Sequence, residues 1–186
     1  GTWCEVRAAS RPVARAGDAA CAALRRQFGI PGSDFVCGIL ARIEPYKGHM
    51  IILEAARALK DEGRPLKVLI AGTGAYESEV RKRTQELDLD DTVVFTGFIR
   101  DVASFLSILD VQLNASYGTE ATSLSLLEGM SIGLPAVVSD YGGNPYVIEH
   151  EKNGLLFHSR DSAGLAGCIR RLMDDPELQR SYLGLA

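Results

Sequence analysis

The chain has 186 residues, of which 46% are hydrophobic and 24% are charged, with a formal net charge of −4 at pH 7. This composition is typical of a globular domain with one full core, and the negative charge argues against nonspecific binding of nucleic acid. The 4 cysteines lack metal-ligand spacing, and no apolar run reaches the roughly 18–20 residues of a membrane-spanning helix.

Short apolar segments alternate with segments of helical pattern along most of the chain. Residues 1–17 show no clear period and are expected to form a lead-in or linker, whereas residues 18–186 are expected to form one domain. The predicted elements are a helix at 18–28, a strand at 35–41, a helix at 47–60, a strand at 66–71, a helix at about 75–87, a strand at 92–95, a helix at 102–109, a strand at 111–115, a helix that contains Glu128, a strand at 136–139, a short helical segment near Pro145, a strand at 155–157, and helices near 161–173 and 176–183. This order predicts an α/β fold with a doubly wound, Rossmann-like parallel sheet.

Two cations follow the first strand of this predicted sheet. In such sheets ligands bind beyond the carboxyl ends of the strands, which is where Arg42 and Lys47 are expected. A guanidinium and an ammonium could clamp a diphosphate, with charge-assisted hydrogen bonds worth about 1.5–3 kcal/mol each. The alternative is that both are solvated surface charges, with Lys47 opening a helix; the residues alone leave the two readings open.

Two glutamates, Glu120 and Glu128, flank a helix start that is rich in small and hydroxyl residues. The free N–H groups and the dipole of a first helical turn suit a phosphate. Six residues separate Thr122 from Glu128, which is roughly 9 Å along a helix axis. This spacing suits a phosphate at one end and a sugar diol at the other, and therefore favours a sugar nucleotide as ligand.

Other motifs argue against rival chemistries. Gly72-Thr73-Gly74 lacks the third glycine of a dinucleotide fingerprint and follows the second strand, so a nicotinamide oxidoreductase is disfavoured. The acidic run 88–91 is expected at a turn on the opposite edge of the sheet, so no metal site is predicted. No serine or cysteine lies in a nucleophile elbow.

An ordered set of motifs resembles the C-terminal, donor-binding half of a retaining GT-B glycosyltransferase of the group 1 (family 4) type. The set is Gly38-Ile-Leu-Ala-Arg42 with Lys47-Gly48, then Leu69-Ile-Ala-Gly72-Thr-Gly74, Val94-Phe-Thr-Gly97-Phe98, Glu120-x7-Glu128, Gly133-Leu-Pro-Ala-Val-Val-Ser139 and Gly142-Gly143. The resemblance runs from about residue 24 to the end of the chain. The chain departs from the family at Tyr146, where the family often has glutamate.

The resemblance implies a role for each matching residue. Glu120 would be the catalytic residue beside the transferred sugar, and Glu128 would bind the ribose. The donor diphosphate would be held by Arg42, Lys47, Thr122, Ser123 and Leu124, and the base pocket would be formed by Phe98 and Ile99. The family transfers a hexose-type sugar from a nucleoside diphosphate sugar without a cofactor or an essential metal.

The resemblance also implies partners. The acceptor site and a catalytic histidine belong to an N-terminal domain that this chain does not contain, so the chain alone is expected to be inactive, and no nucleic acid partner is expected. A cytoplasmic location is expected, with peripheral membrane association of the full-length enzyme left open. The alternatives are half of a sugar-nucleotide epimerase and a non-catalytic Rossmann-like binding module.

Overall fold

The computed structural model describes residues 14–118 and 123–183, and a six-stranded parallel sheet forms its centre. The strands in chain order are β1 (Phe35–Leu40), β2 (Leu66–Ala71), β3 (Val93–Gly97), β4 (Val111–Asn114), β5 (Ala136–Ser139) and β6 (Leu155–Phe157). Their spatial order is β3-β2-β1-β4-β5-β6, and each neighbouring pair is parallel. The order reverses direction between β1 and β4, so the predicted doubly wound, Rossmann-like fold is confirmed.

Helices cover both faces of the sheet. They are α1 (Asp18–Gln27), α2 (His49–Asp61), α3 (Glu77–Glu86), α4 (Val102–Ser107), α5 (Leu124–Ser131), α6 (Asn144–Val147), α7 (Ser162–Asp174) and α8 (Pro176–Leu183). Helices α2 and α7 pack together on one face, and α1 and α4 pack together on the other. Alternate strand residues serve the two layers: Val68 and Ile70 enter the core with α2, whereas Leu69 enters the core with α4.

The second helix begins two residues later than the sequence predicts. Pro45–Lys47 form a 3₁₀ turn, and Gly48 follows in the left-handed region with φ +82°. A Cβ on Gly48 would lie 2.1 Å from the Ala115 carbonyl oxygen, so glycine is needed here both for its φ and for close approach of the two loops. Lys47 therefore lies on a tight turn at the end of β1 and not inside α2, and the prediction that it opens the helix is wrong.

The edge strand β6 has its outward backbone groups capped by side chains. The Leu156 N–H donates to Nδ1 of His150 at 2.9 Å, and the Leu156 carbonyl accepts from the Cys168 thiol at 3.9 Å. Within residues 14–118 and 123–183, no helix is both long enough and apolar enough to cross a membrane. The predicted domain boundary at residue 17 stays a prediction.

Candidate functional site at the carboxyl edge of the sheet

The point where the strand order reverses lies between β1 and β4, and the start of α5 closes over it. The Ser125 hydroxyl donates to the Leu40 carbonyl at the end of β1 at 2.9 Å, and it lies 2.8 Å from the Ser123 hydroxyl. The Ser123 side chain accepts from the Leu126 N–H at 3.4 Å and so caps α5. The positive end of α5 is therefore fixed at the position where doubly wound sheets bind ligands.

Lys47 shares a small cavity with this helix start. The cavity has a volume of about 20 Å³, which is room for roughly one water molecule. Its lining includes Lys47, Ser123 and Ser125 together with the last residues of β1 and β4. The structure thus places Lys47 and the start of α5 at one cavity, an arrangement that suits an anion.

Arg42 lies at an adjoining, larger pocket. This pocket of about 390 Å³ is lined by Leu40, Ala41, Arg42, Gly72, Thr73, Gly74, Phe98 and Ile99. The two cavities share Leu40 and Ala41, so they are neighbours along the end of β1. The side chain of Arg42 is 78% exposed and donates to Glu44 at 3.1 Å, and Phe98 is 74% exposed. The structure therefore groups Arg42 with the residues predicted to form a base pocket.

The predicted site also includes Glu120, Thr122 and Glu128. Glu120 and Thr122 lie outside the described residues, so their predicted roles stay predictions. Glu128 is half-buried on α5, one turn beyond the exposed Leu124, and is not among the residues that line the two cavities. Across the described part of the chain, no group of three or more His, Cys, Asp or Glu side chains could hold a metal ion.

His49, which follows the Lys47 turn directly, is buried at 1% exposure, and neither ring nitrogen has a hydrogen-bond partner within the described residues. Burial, with a smaller contribution from the nearby Lys47 charge, lowers the pKa of His49 to about 4. The imidazole is therefore neutral at physiological pH, and it adds no positive charge beside Lys47.

Sequence reasoning missed a buried amide that fixes the neighbouring loops. The Asn144 side chain donates to the Ser139 carbonyl at 3.0 Å, and its Nδ2 also lies 3.5 Å from Oδ1 of Asn114. The Ser139 hydroxyl in turn donates to the Ser116 carbonyl at 2.6 Å. These bonds join the ends of β4 and β5. An asparagine directly after Gly142-Gly143, at the end of a buried strand, was the available signal, but a plain turn explained it equally well.

The loop after β6 also contacts the loop after β4, through the side chain of Arg160. The guanidinium of Arg160 lies 4.3 Å from the ring centroid of Tyr117, and the Tyr117 N–H donates to the Tyr46 carbonyl at 2.9 Å. Arg160 is exposed and has φ +65°, so the backbone is strained at the residue that makes this contact. The loop after β6 thus contacts the loop after β4, which contacts the Lys47 turn.

A separate groove of about 580 Å³ runs beside β6 and α7, and Asp140 and His158 line it. Oδ2 of Asp140 lies 2.9 Å from Nδ1 of His158. This hydrogen bond raises the pKa of His158 and lowers the pKa of Asp140. The groove does not share a residue with the cavities at β1, and it contains none of the predicted site residues.

Comparisons with known proteins agree with this architecture. The sequence model described as "Glycosyl transferases group 1" matches residues 22–183. AmsK, an amylovoran biosynthesis glycosyltransferase of Erwinia amylovora, is 33% identical over 140 residues, which are 72% of this chain and 34% of AmsK. The chain therefore spans about a third of the length of this curated relative.

Two solved structures extend the comparison. HepE of Anabaena, crystallised in complex with UDP-glucose, superimposes with a TM-score of 0.84 at 25% identity over 91% of this chain and 47% of the HepE chain. The C-terminal domain of LpcC, a group 1 family protein of Francisella tularensis, superimposes with a TM-score of 0.78 at 25% identity, covering 92% of this chain and 90% of that one. The chain thus has the Rossmann-like architecture of one half of a GT-B protein.

Proposed function

Because the chain belongs to the group 1 glycosyl transferases, we propose that it is the donor-binding domain of a retaining enzyme that takes a sugar from a nucleoside diphosphate sugar. The observation that carries this proposal is the shared cavity of Lys47 and the start of α5 at the reversal point of the sheet. The complex of HepE with UDP-glucose supports the same class of donor.

The proposed mechanism is electrostatic. As the bond from the sugar to the diphosphate breaks, negative charge develops on the leaving diphosphate. Lys47, Arg42 and the N–H groups at Ser123 and Leu124 would stabilise that charge in place before the reaction begins. Such preorganised donors lower the barrier because they need no reorientation as the charge appears. No metal or cofactor is needed for this step.

The remaining roles follow the resemblance. Glu120 would lie beside the transferred sugar, Thr122 would help to hold the diphosphate, and Glu128 would accept hydrogen bonds from the ribose. Phe98 and Ile99, which line the pocket beside Arg42, would hold the base. An N-terminal acceptor domain would complete the cytoplasmic enzyme, so we expect this chain alone to bind the donor without transferring its sugar.

Calorimetry on this chain tests the proposal with UDP and uridine as ligands. We expect UDP to bind and uridine to bind much more weakly, because the diphosphate makes the charged contacts. Lys47→Ala should weaken UDP binding about 10- to 100-fold, which corresponds to roughly 1.5–3 kcal/mol for the lost charge-assisted contact.

Lys60→Ala is the matched control, because it removes the same charge from a lysine that is paired with Asp91 at the opposite edge of the sheet. It should leave UDP affinity unchanged. Absence of UDP, GDP and ADP binding at millimolar concentration, or an equal loss in the two lysine variants, would overturn the proposal.

A further inference from the structure

The turn that carries the two diphosphate-binding cations also carries a carboxylate. Glu44 lies between Arg42 and Lys47 in the chain, and its side chain is only 18% exposed. Its Oε1 accepts from Nη2 of Arg42 at 3.1 Å. A carboxylate is the wrong charge for an anion site, so its position there needs a physical explanation.

The backbone gives Glu44 little freedom to move away. Ile43 is fully buried, its N–H donates to the Thr73 carbonyl at 2.9 Å, and its carbonyl accepts from the Tyr76 N–H at 3.0 Å. The Glu44 N–H also donates to the Arg42 carbonyl at 3.1 Å. The backbone of both neighbours of Ile43, Arg42 and Glu44, is therefore held in place, which keeps their side chains within reach of each other.

The ion pair itself is weak enough for a ligand to break. It is a single contact, and the guanidinium is 78% exposed. A pair with one group this exposed contributes little, because water competes for the guanidinium. A diphosphate can instead accept two parallel N–H bonds from a guanidinium, which is a stronger arrangement.

We infer that Glu44 is a built-in competitor of the donor diphosphate for Arg42. In the empty site the carboxylate occupies the guanidinium, and on binding the diphosphate displaces it. The clamped backbone keeps the carboxylate within reach of Arg42, so the diphosphate must break this ion pair each time it binds. The residue therefore lowers affinity for the diphosphate and favours its release after transfer. This inference rests on the proposed function.

Neutral replacement of Glu44 should strengthen binding, which is the opposite of what loss of a ligand contact would do. We expect Glu44→Gln to bind UDP about three- to fivefold more tightly than the wild-type chain in low-salt calorimetry, and pyrophosphate to show the same direction of change. Uridine affinity should stay within twofold. In an Arg42→Ala background the gain from Glu44→Gln should fall below twofold, because the guanidinium for which the two anions compete is gone.

Glu86→Gln is the matched control. Glu86 accepts from Arg83 at 3.2 Å in a similar single-contact pair at the far end of α3, and its neutralisation should not change UDP affinity. Glu44→Ser, which also suits the extended backbone at this position, replaces Glu44→Gln if that variant fails to fold.

The outcomes separate the two proposals. If the wild-type chain binds UDP and both neutral variants bind it equally or less tightly, Glu44 orients Arg42 and the competitor role is overturned while the proposed function stands. An equal gain with and without Arg42 also overturns it, because the effect would then be repulsion alone. If the wild-type chain binds none of UDP, GDP, ADP and pyrophosphate at millimolar concentration, both proposals fail.

Discussion

Basic side chains have different partners at the two ends of the parallel strands, the amino edge where the strands begin and the carboxyl edge where they end. At the amino edge, basic side chains meet carboxylates, as in Lys60–Asp91 at 2.7 Å and Arg64–Asp174 at 2.6 Å. At the carboxyl edge, Arg42 is paired with Glu44, but Lys47 lies 5.6 Å from the ring centroid of Tyr46 and Arg160 lies over the ring of Tyr117. Pairing cancels charge locally, whereas an aromatic face holds a cation without neutralising it. The pairs at the amino edge therefore stabilise the fold, whereas Lys47 and Arg160 keep their charge, which the proposed binding of a diphosphate requires.

The largest expected effect is on the free energy of unfolding, and it distinguishes two glycines that both have a left-handed backbone conformation. Gly48 at the carboxyl edge has φ +82° and touches the Ala115 carbonyl, whereas Gly63 at the amino edge has φ +73° and open space around it. Gly63→Ala should lower the free energy of unfolding by about 1–2 kcal/mol, which is the cost of the backbone conformation. Gly48→Ala should cost about 4 kcal/mol, because the added Cβ also forces two loops apart.

Urea unfolding of both variants measures this difference. Equal losses would mean that the close approach of the Lys47 turn to Ala115 is absent in solution, and the comparison between the edges would lose its tightest contact.

The second-largest effect is a pH dependence of the free energy of unfolding, which comes from His49. Its pKa is lowered to about 4 in the folded chain, whereas an unfolded histidine has a pKa of about 6.5. The unfolded state binds a proton first as pH falls, so this contribution to stability is complete above about pH 6.5 and is lost between pH 6.5 and 4. By pH 4.5 the loss should reach about 2.5 kcal/mol, since the folded chain then still resists protonation of this imidazole.

His49→Met removes this titration and keeps a similar volume. The difference in unfolding free energy between wild type and His49→Met, followed from pH 7 to pH 4.5, isolates the histidine because carboxylate titrations cancel. A flat difference curve for His49→Met would show that the imidazole is hydrated and not buried.

The contribution of His158 to stability depends on pH in the opposite direction, because Asp140 raises the pKa of His158. This contribution is present below about pH 6.5 and is lost as pH rises through the folded pKa.

The smallest expected effect comes from the amino edge. Lys60→Met breaks the ion pair with Asp91 and the contact to the Asp88 carbonyl. Because the Asp91 side chain is 71% exposed, the loss of unfolding free energy should stay below about 1 kcal/mol. It should also shrink at high salt, as expected for screened charges. A loss as large as that of Gly48→Ala would show that the ion pairs at this edge do more than stabilise the surface.

The sheet was largely predictable from the sequence because its strands are continuous apolar runs between turn residues. The bounds of β2, β5 and β6 agree with the prediction at both ends. The start of α2 was not predicted, because the left-handed Gly48 depends on contact with Ala115, a residue 67 positions away. Local pattern gives the period of an element, but its first residue depends on what packs against it.

The candidate site was predictable in its location but not in its pairings. The placement of Lys47 beside the start of α5 followed from the rule that ligands bind where strand ends meet. The contact between Arg42 and Glu44 did not follow, because it depends on how Thr73 and Tyr76 clamp the backbone of Ile43. Adjacent residues in a loop can point in many directions, and only tertiary hydrogen bonds select one of them.

The capped edge of β6 has a consequence for how copies of this protein behave at high concentration. A foreign strand that tried to extend the sheet would have to displace the imidazole of His150 from the Leu156 N–H and the thiol of Cys168 from its carbonyl. The three residues of β6 offer too few new backbone hydrogen bonds to compensate for the loss of these two contacts. Association of two copies through strand pairing at β6 is therefore disfavoured.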